Sequence, residues 1–96
     1  MTASQFLALI RPSLSHGMLT NRQFALLALC ASLDKPIRVK QAALNLTISR
    51  PAVSRATDAL SIKNFVRRKR EEKDTRQVQI HITPQGTAFL ESLGVS

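Results

Sequence analysis

The side chains in this sequence that are best suited to chemistry are basic, and they lie close together. Eleven of the fourteen Lys and Arg residues fall between Arg38 and Arg76, beside four of the six acidic residues. This segment therefore carries a net +7 of the chain's +8. A solvated surface mixes both signs, whereas a basic cluster of this kind is typical of a protein that binds a polyanion. The charge pattern predicts a nucleic-acid partner.

The other reactive side chains are poorly arranged for catalysis or metal binding. Cys30 is the single cysteine and lies in an apolar run, so we expect a buried small hydrophobe rather than a zinc ligand or a redox sensor. His16 and His81 are far apart in the chain and have no cluster of partners. The carboxylates of residues 71–74 lie in a charged turn, which lacks the desolvation that acid–base catalysis needs. We therefore expect no enzyme activity, no cofactor and no metal site.

Length and composition predict a single domain spanning residues 1–96. The chain has 96 residues, of which 44% are apolar, enough for one modest core. No apolar run reaches the length of about 18 residues that a membrane span needs, and no signal-peptide pattern opens the chain. We expect a cytoplasmic, nucleoid-associated protein without membrane contact.

Two helices are predicted in the N-terminal third of the chain. Apolar residues at helical spacing predict the first over Ala3–Arg11, where Pro12 ends it. Thr20 and Gln23 have the spacing of a capping box and open the second. The run Phe24–Leu33 is almost entirely apolar, so we expect this helix to be buried nearly all round, against the first helix or a second subunit.

A pair of short helices follows, joined by a tight connection at residues 47–48. The first covers Lys40–Leu46, and Ser49 caps the second, which covers Arg50–Ile62. On a helical wheel the second helix has an apolar face and a polar face, and the polar face comprises Arg50, Ser54, Arg55, Thr57, Asp58 and Ser61. This pattern is typical of a helix-turn-helix motif, whose second helix contacts DNA.

After Asn64 the apolar residues recur at every second position, which predicts a pair of antiparallel strands. A basic run, Arg67–Arg70, precedes a charged turn, and Val78–Ile82 alternates apolar and polar residues. Two strands with a basic tip beside a helix-turn-helix are typical of a wing. With a short strand at Ile37–Val39 and a last helix at Pro84–Leu93, the order is α-α-β-α-α-β-β-α. The sequence predicts a mainly α (α+β) fold, a winged helix-turn-helix.

Four short sequence motifs occur in the order and spacing that are typical of a known protein family. They are Leu19-Thr20 with Gln23, the run Leu46 to Arg55, Asp74 with Arg76, and Ile82-Thr83 with Gly86. Through them residues 19–86 resemble the DNA-binding lobe of the MarR (multiple antibiotic resistance regulator) family. Ala42 replaces the family's usual Leu, and Asn64 replaces its usual Gly, although Asn also tolerates the left-handed conformation that ends a helix. The resemblance implies a sequence-specific regulator of transcription, most simply a repressor, that binds double-stranded DNA.

The resemblance and the helical wheel together assign DNA-binding roles. We expect base contacts in the major groove from Arg50, Pro51, Ser54 and Arg55. We expect phosphate and wing contacts from Lys40, Ser49, Lys63, Arg67, Arg68, Lys69, Lys73 and Arg76, the last in the minor groove. Asp74 is expected to hold the shape of the wing, because phosphate would repel its charge. A local pair of Asp74 and Arg76 without contact to DNA stays open.

The segments flanking the lobe bear on oligomeric state and regulation. The family implies a longer N-terminal helix and two further C-terminal helices, which form a dimer and frame an effector pocket. Here about eighteen residues form the N-terminal helix and loop, and residues 84–96 form the last helix. We therefore do not expect a small-molecule effector. A homodimer through the terminal helices is expected, because an apolar patch would otherwise be exposed at Phe6, Leu7, Ile10, Phe89 and Leu90.

Two other functions are compatible with the same fold. A winged helix can serve as a protein-assembly module, and the apolar Phe24–Leu33 helix could dock a partner chain. A non-specific architectural DNA-binding protein would share the basic surface but not the base selectivity. The net +7 on the helix-turn-helix and wing favours DNA over an assembly role.

Overall fold

In the computed structural model the described residues are 2–5, 7–8, 19–33, 35–73 and 77–93. They form the helices α1 (Asn21–Ser32), α2 (Val39–Leu46), α3 (Arg50–Ile62) and α4 (Pro84–Ser92), and the strands β1 (Ile37–Arg38), β2 (Val66–Arg70) and β3 (Val78–Ile82). Residues 3–5 and 7–8 are also helical, as predicted, while the rest of that predicted helix lies outside the described residues. None of the helices described is both long and apolar enough to cross a membrane.

The sheet joins the wing to the helix-turn-helix. Its strand order is β1-β3-β2, and both pairs are antiparallel. The hairpin register pairs Val66 with Ile82, while Ile37 of β1 pairs with Ile80 on the far side of β3. Because β1 leads directly into α2, the middle of strand β3 is joined to the segment that opens the helix-turn-helix.

Aliphatic side chains from α1, α3 and β3 form the centre of the core. Leu26, Leu27, Val53, Leu60 and Ile80 are completely buried. Among the described helices, α1 and α3 pack against each other most extensively. The core therefore lies directly beneath α3 and holds the inner face of that helix in place.

Helix α4 closes the core with an aromatic cluster. The ring of Phe89 stacks on Phe65 with 4.7 Å between centroids, and the centroid of the tilted Phe24 ring lies 6.2 Å from that of Phe89. Leu90 is buried as well. The prediction that Phe89 and Leu90 would form part of an exposed apolar patch is therefore wrong, because both belong to the core of this chain. Leu7 is exposed, and Phe6 and Ile10 are outside the described side chains.

Local capping explains where the helices begin. Thr20 Oγ1 accepts from the Gln23 amide at 3.2 Å, and the Gln23 side chain accepts from the Thr20 amide at 3.1 Å, which confirms the capping box. Ser49 Oγ accepts from the Ala52 amide at 3.2 Å, and Thr83 Oγ1 accepts from Gly86 at 3.0 Å. The predicted starts of α1, α3 and α4 are confirmed.

Two left-handed residues set the turns on either side of α3. Thr47 ends α2 at φ 56°, and Asn64 follows α3 at φ 63°. The conformation of Asn64 is the one expected for a residue in place of Gly, since Asn adopts it more readily than most residues. The Asn64 carbonyl also accepts a hydrogen bond of 2.6 Å from Thr83 Oγ1, which ties the start of the wing to its exit.

Two details of the helix and strand predictions are wrong. The helical wheel predicts Thr57 on the polar face of α3, but it is fully buried, because its hydroxyl donates to the Val53 carbonyl at 2.7 Å and needs no water. Ala28 and Ala31 on α1 are exposed in the single chain, so the burial of α1 by the first helix or a second subunit stays a prediction. Val39 is the first residue of α2 and not the end of a strand.

Candidate nucleic-acid interface

The exposed face of α3 presents the four residues predicted to contact bases. Arg50, Pro51 and Arg55 are exposed and Ser54 is half-buried, all within the first two turns. Residues three and four positions apart share one side of a helix, so residues 51, 54 and 55 point the same way. The opposite side of α3 is buried. The structure therefore brings the predicted base-contacting residues onto one accessible surface.

Arg68 connects the wing to α3. Its Nη1 lies 2.5 Å from Asp58 Oδ1, and its Nη2 donates to the Ser54 carbonyl at 2.8 Å. Both side chains are at least a third exposed, so the ion pair contributes only about 0–1 kcal/mol to stability. Its effect is geometric, since it sets the distance between β2 and the surface that carries Ser54 and Arg55.

Glu71 forms a second connection at the outer end of the wing. Its carboxylate accepts from Arg38 Nε at 2.6 Å and Nη2 at 2.9 Å, and Gln79 Nε2 donates to it at 3.2 Å. The Glu71 side chain is only 13% exposed, against 45% for Arg38. This bidentate geometry is the strong form of an Arg–carboxylate pair. It joins the end of β2 to the junction of β1 and α2.

Sequence reasoning missed both connections. It assigned Arg68 to phosphate, placed Glu71 in a solvated turn and gave Arg38 no role. The available signal was weak: Asp58 is the single acidic residue on the predicted polar face of α3. An isolated acid in a basic surface indicates an internal partner, but the sequence does not say which cation it meets.

The remaining phosphate-contact candidates surround α3 and the wing. Exposed side chains occur at Lys40, Ser49, Arg67, Lys69 and Lys73, whereas Lys63 is half-buried. Ser49 also caps α3, so its hydroxyl has a structural bond. Arg67 and Lys69 pair in register with His81 and Gln79, which places them on the sheet face opposite Arg68. Asp74 and Arg76 lie outside the described residues.

Cys30 and His81 do not form a reactive site. Burial raises the pKa of the Cys30 thiol to about 11, so the thiol is protonated at neutral pH and behaves as the buried hydrophobe predicted. Burial, and secondarily the charge of Lys69, lowers the pKa of His81. Nε2 of that imidazole is buried without a hydrogen-bond partner among the described residues. No group of three potential metal ligands occurs in the parts of the chain that the structure describes.

The arrangement of these elements defines a class of protein. A helix-turn-helix followed by a β-hairpin is the winged-helix architecture. A sequence profile of the MarR family matches residues 19–78, and the chain belongs to this family. It is a family of transcriptional regulators and not of enzymes.

Solved structures of low sequence identity share the fold. YusO from Bacillus subtilis is 22% identical, with a TM-score of 0.79 over 94% of this chain and 62% of its own. The transcriptional regulator BldR from Sulfolobus solfataricus is 28% identical, with a TM-score of 0.73 over 91% of this chain and 62% of its own. A point mutant of MepR from S. aureus, bound to an oligodeoxyribonucleotide, is 20% identical, with a TM-score of 0.80 over 95% and 66%. No match was found among curated protein sequences.

The similarity covers the lobe and not the whole of those proteins. This chain spans 62% of the length of YusO and of BldR. What these structures show for this chain is the winged-helix fold, while its family membership rests on the sequence profile over residues 19–78.

Proposed function

We propose that this protein is a sequence-specific regulator of transcription that binds double-stranded DNA through α3 in the major groove and through the wing on the flanking minor groove. The observation that carries the proposal is the accessible side of α3, where Arg50 and Arg55 are exposed and Ser54 is half-buried, on a helix whose other face packs into the core. A rigid helix with basic side chains on its free side is the part of a helix-turn-helix that enters the groove.

The side chains on this row are suited to base contacts. An Arg guanidinium can donate two parallel hydrogen bonds to guanine, and a Ser hydroxyl can bond several base edges. Pro51 lacks an amide hydrogen and offers an apolar contact, as a thymine methyl requires. A good bidentate contact discriminates against the wrong base by about 1–3 kcal/mol. We assign base contacts to Arg50, Pro51, Ser54 and Arg55.

Phosphate contacts are proposed for one hydroxyl and six cations at or beside α3 and the wing. The set is Lys40, Ser49, Lys63, Arg67, Arg68, Lys69 and Lys73. A guanidinium has five N–H donors, so Arg68 retains donors for phosphate while it holds Asp58 and the Ser54 carbonyl. If about six phosphates are neutralised, the logarithm of the binding constant falls with the logarithm of salt concentration at a slope of about −5.

The tip of the wing is assigned by resemblance alone. Arg76 is proposed to enter the minor groove, where narrow A·T tracts attract a guanidinium. Asp74 is proposed to stabilise the turn that presents Arg76. Both roles rest on the Asp74-x-Arg76 spacing in the sequence.

Repression by occlusion of a promoter is the mechanism we propose, with residues 1–96 acting as one domain. A palindromic operator requires a two-fold dimer. The exposed Leu7 supports dimerisation through the terminal helices. We propose a cytoplasmic, nucleoid-associated protein. No small-molecule effector is included in the proposal. Sedimentation at increasing protein concentration tests the dimer.

The deciding experiment is fluorescence anisotropy with a duplex from the gene's own upstream region and a scrambled duplex, each at two salt concentrations. A sequence-specific regulator prefers the native duplex by about a thousandfold or more. Equal affinities with a steep salt dependence would indicate an architectural DNA-binding protein. Absence of binding to both at low salt would favour the assembly module.

The same assay tests the role of Arg55. We expect Arg55→Ala to weaken binding to the native duplex by about 1–3 kcal/mol while affecting the scrambled duplex much less, because a base contact is lost. Lys35→Ala is the matched control, since Lys35 is exposed, lies outside the proposed interface and removes the same charge. Equal weakening on both duplexes would show that Arg55 contacts only the backbone of DNA.

A further inference from the structure

We propose that Glu71 is a positioning residue for DNA binding, whose carboxylate holds the outer end of the wing in its DNA-binding orientation through Arg38 and Gln79. The inference rests on the proposed function. It adds to that function an acidic residue that is not itself proposed to contact DNA. It follows from the contacts of Glu71, from its burial and from the charges around it.

The contacts of Glu71 join segments that are distant in the chain. Arg38 lies 33 residues from Glu71, and Gln79 lies 8 residues away, yet both donate to the same carboxylate. Arg38 and Gln79 are also register partners across β1 and β3. The backbone of Glu71 is held as well, because its amide donates to the Gln77 carbonyl at 3.0 Å. Both the main chain and the side chain of Glu71 are therefore fixed relative to the sheet.

The charge of Glu71 by itself opposes DNA binding. The cleft beside it is lined by cations that would approach phosphate, namely Arg38, Lys69, Arg70 and Lys73. A carboxylate at this place repels phosphate and reduces the local positive potential. Counterion release alone would favour an uncharged residue here. The favourable contribution of Glu71 is its bidentate bond to Arg38.

A wing that is already fixed in the free protein lowers the free-energy cost of binding DNA. Segments that are mobile in the free protein lose conformational freedom when DNA immobilises them, and a preformed arrangement avoids this loss. Residues 71–73 directly follow β2 and precede the tip, so their orientation determines where Lys73 points. The bond from Glu71 to Arg38 ties this segment to β1, and through β1 to the start of α2.

The two connections of the wing act at different places. Arg68 ties the middle of β2 to α3, whereas Glu71 ties the end of β2 to β1. Loss of the Glu71 connection leaves the hairpin ladder and the Arg68 bonds in place. We therefore expect the domain to stay folded, with the change confined to the outer part of the wing.

Two substitutions separate charge from positioning. Glu71→Gln and Glu72→Gln each raise the net charge from +8 to +9, and Glu72 is the exposed neighbour. If only charge matters, both variants bind DNA more tightly than the parent. If Glu71 positions the wing, Glu71→Gln binds about three- to tenfold more weakly and with a shallower salt slope, while Glu72→Gln binds equally or more tightly.

Exchanging the charges of residues 38 and 71 tests whether a restored ion pair also restores DNA binding. Arg38→Glu with Glu71→Arg rebuilds the ion pair in the opposite direction at an unchanged net charge of +8. The Gln79 amide can accept from the new Arg with its oxygen. We expect the double variant to bind DNA more tightly than Glu71→Gln although its net charge is one unit lower, which neither a gain of charge nor a loss of general stability would produce. Unfolding midpoints are measured for all variants and identify any that fail to fold. If Glu71→Gln is one of them, the double variant decides whether Glu71 positions the wing.

The outcomes of this experiment are distinct. Weaker binding by Glu71→Gln together with rescue by the charge exchange supports the positioning role. Binding by Glu71→Gln as tight as that of Glu72→Gln, or a charge exchange that rescues nothing, overturns it while leaving the DNA-binding function intact. Absence of binding by the parent protein to either duplex overturns the proposed function, and the role of Glu71 falls with it.

Discussion

Helix α3 and the wing both carry basic side chains, but they are held in place in different ways. The position of α3 depends on signals within its own sequence: the Ser49 cap, Pro51 in the first turn and an apolar face packed into the core. The position of the wing depends on bonds to other elements, from Arg68 to Asp58 and from Glu71 to Arg38. The orientation of α3 can therefore be predicted from the sequence, because it follows from local periodicity. The position of the wing cannot be predicted in this way, because it depends on polar contacts between residues far apart in the chain.

The largest effect is expected from breaking the core beneath α3. Leu60 is completely buried on that helix, so Leu60→Ala removes apolar contacts and leaves a cavity, at a cost of about 2–5 kcal/mol. The measurement is urea denaturation followed by circular dichroism. Ile62→Ala is the matched control on the same helix, because Ile62 is 86% exposed and its truncation should change stability by less than about 0.5 kcal/mol. Similar losses in the two variants would contradict the packing of α3.

A smaller effect is expected at the bond between α3 and the wing. A double-mutant cycle of Arg68→Ala and Asp58→Ala should give a coupling of about 0.2–1 kcal/mol in the free energy of unfolding, since the pair is exposed to solvent. The cycle of Arg67→Ala with Asp58→Ala is the control and should be additive, because Arg67 lies on the other face of the sheet. Equal coupling energies in the two cycles would show that the Arg68 bond has no specific role.

The smallest effect is expected in the pH dependence of stability, through His81 in strand β3. Burial and the Lys69 charge lower the pKa of His81 below its ordinary value of 6.5, so the unfolded chain binds a proton more readily than the folded one. Stability should therefore fall slightly as the pH drops below about 6.5 and level off below the folded-state pKa. Unfolding midpoints of the parent and of His81→Gln, compared from pH 7.5 to 5, measure the difference. A larger midpoint loss in His81→Gln than in the parent would reverse this expectation.

Most of the fold could be predicted because it follows from local patterns. The caps at Thr20, Ser49 and Thr83 mark the helix starts, and the change of hydrophobic period after Asn64 marks the wing. The error at Thr57 has a physical cause. Thr57 was assigned to the surface from its polarity, but a hydroxyl that bonds the preceding turn of its own helix can be buried without loss.

The candidate site could be predicted in part. Arg50 and Arg55 lie on the exposed face of α3 because a helix repeats every 3.6 residues and the apolar face must be buried. Arg38 and Glu71 could not be paired in advance. Several cations were available to this carboxylate in the sequence, and the antiparallel register of β1 on β3 selects one of them.

The amino-acid sequence by itself determined the order of elements, the helix starts and the concentration of positive charge on one segment. Each depends on residues that are neighbours along the chain, where hydrophobic period, capping and charge act over a few positions. Only the tertiary structure decided that Arg68 holds α3 and that Glu71 holds the wing to β1. These contacts join residues far apart in sequence, and their partners are chosen by which surfaces the packed core brings within hydrogen-bond distance.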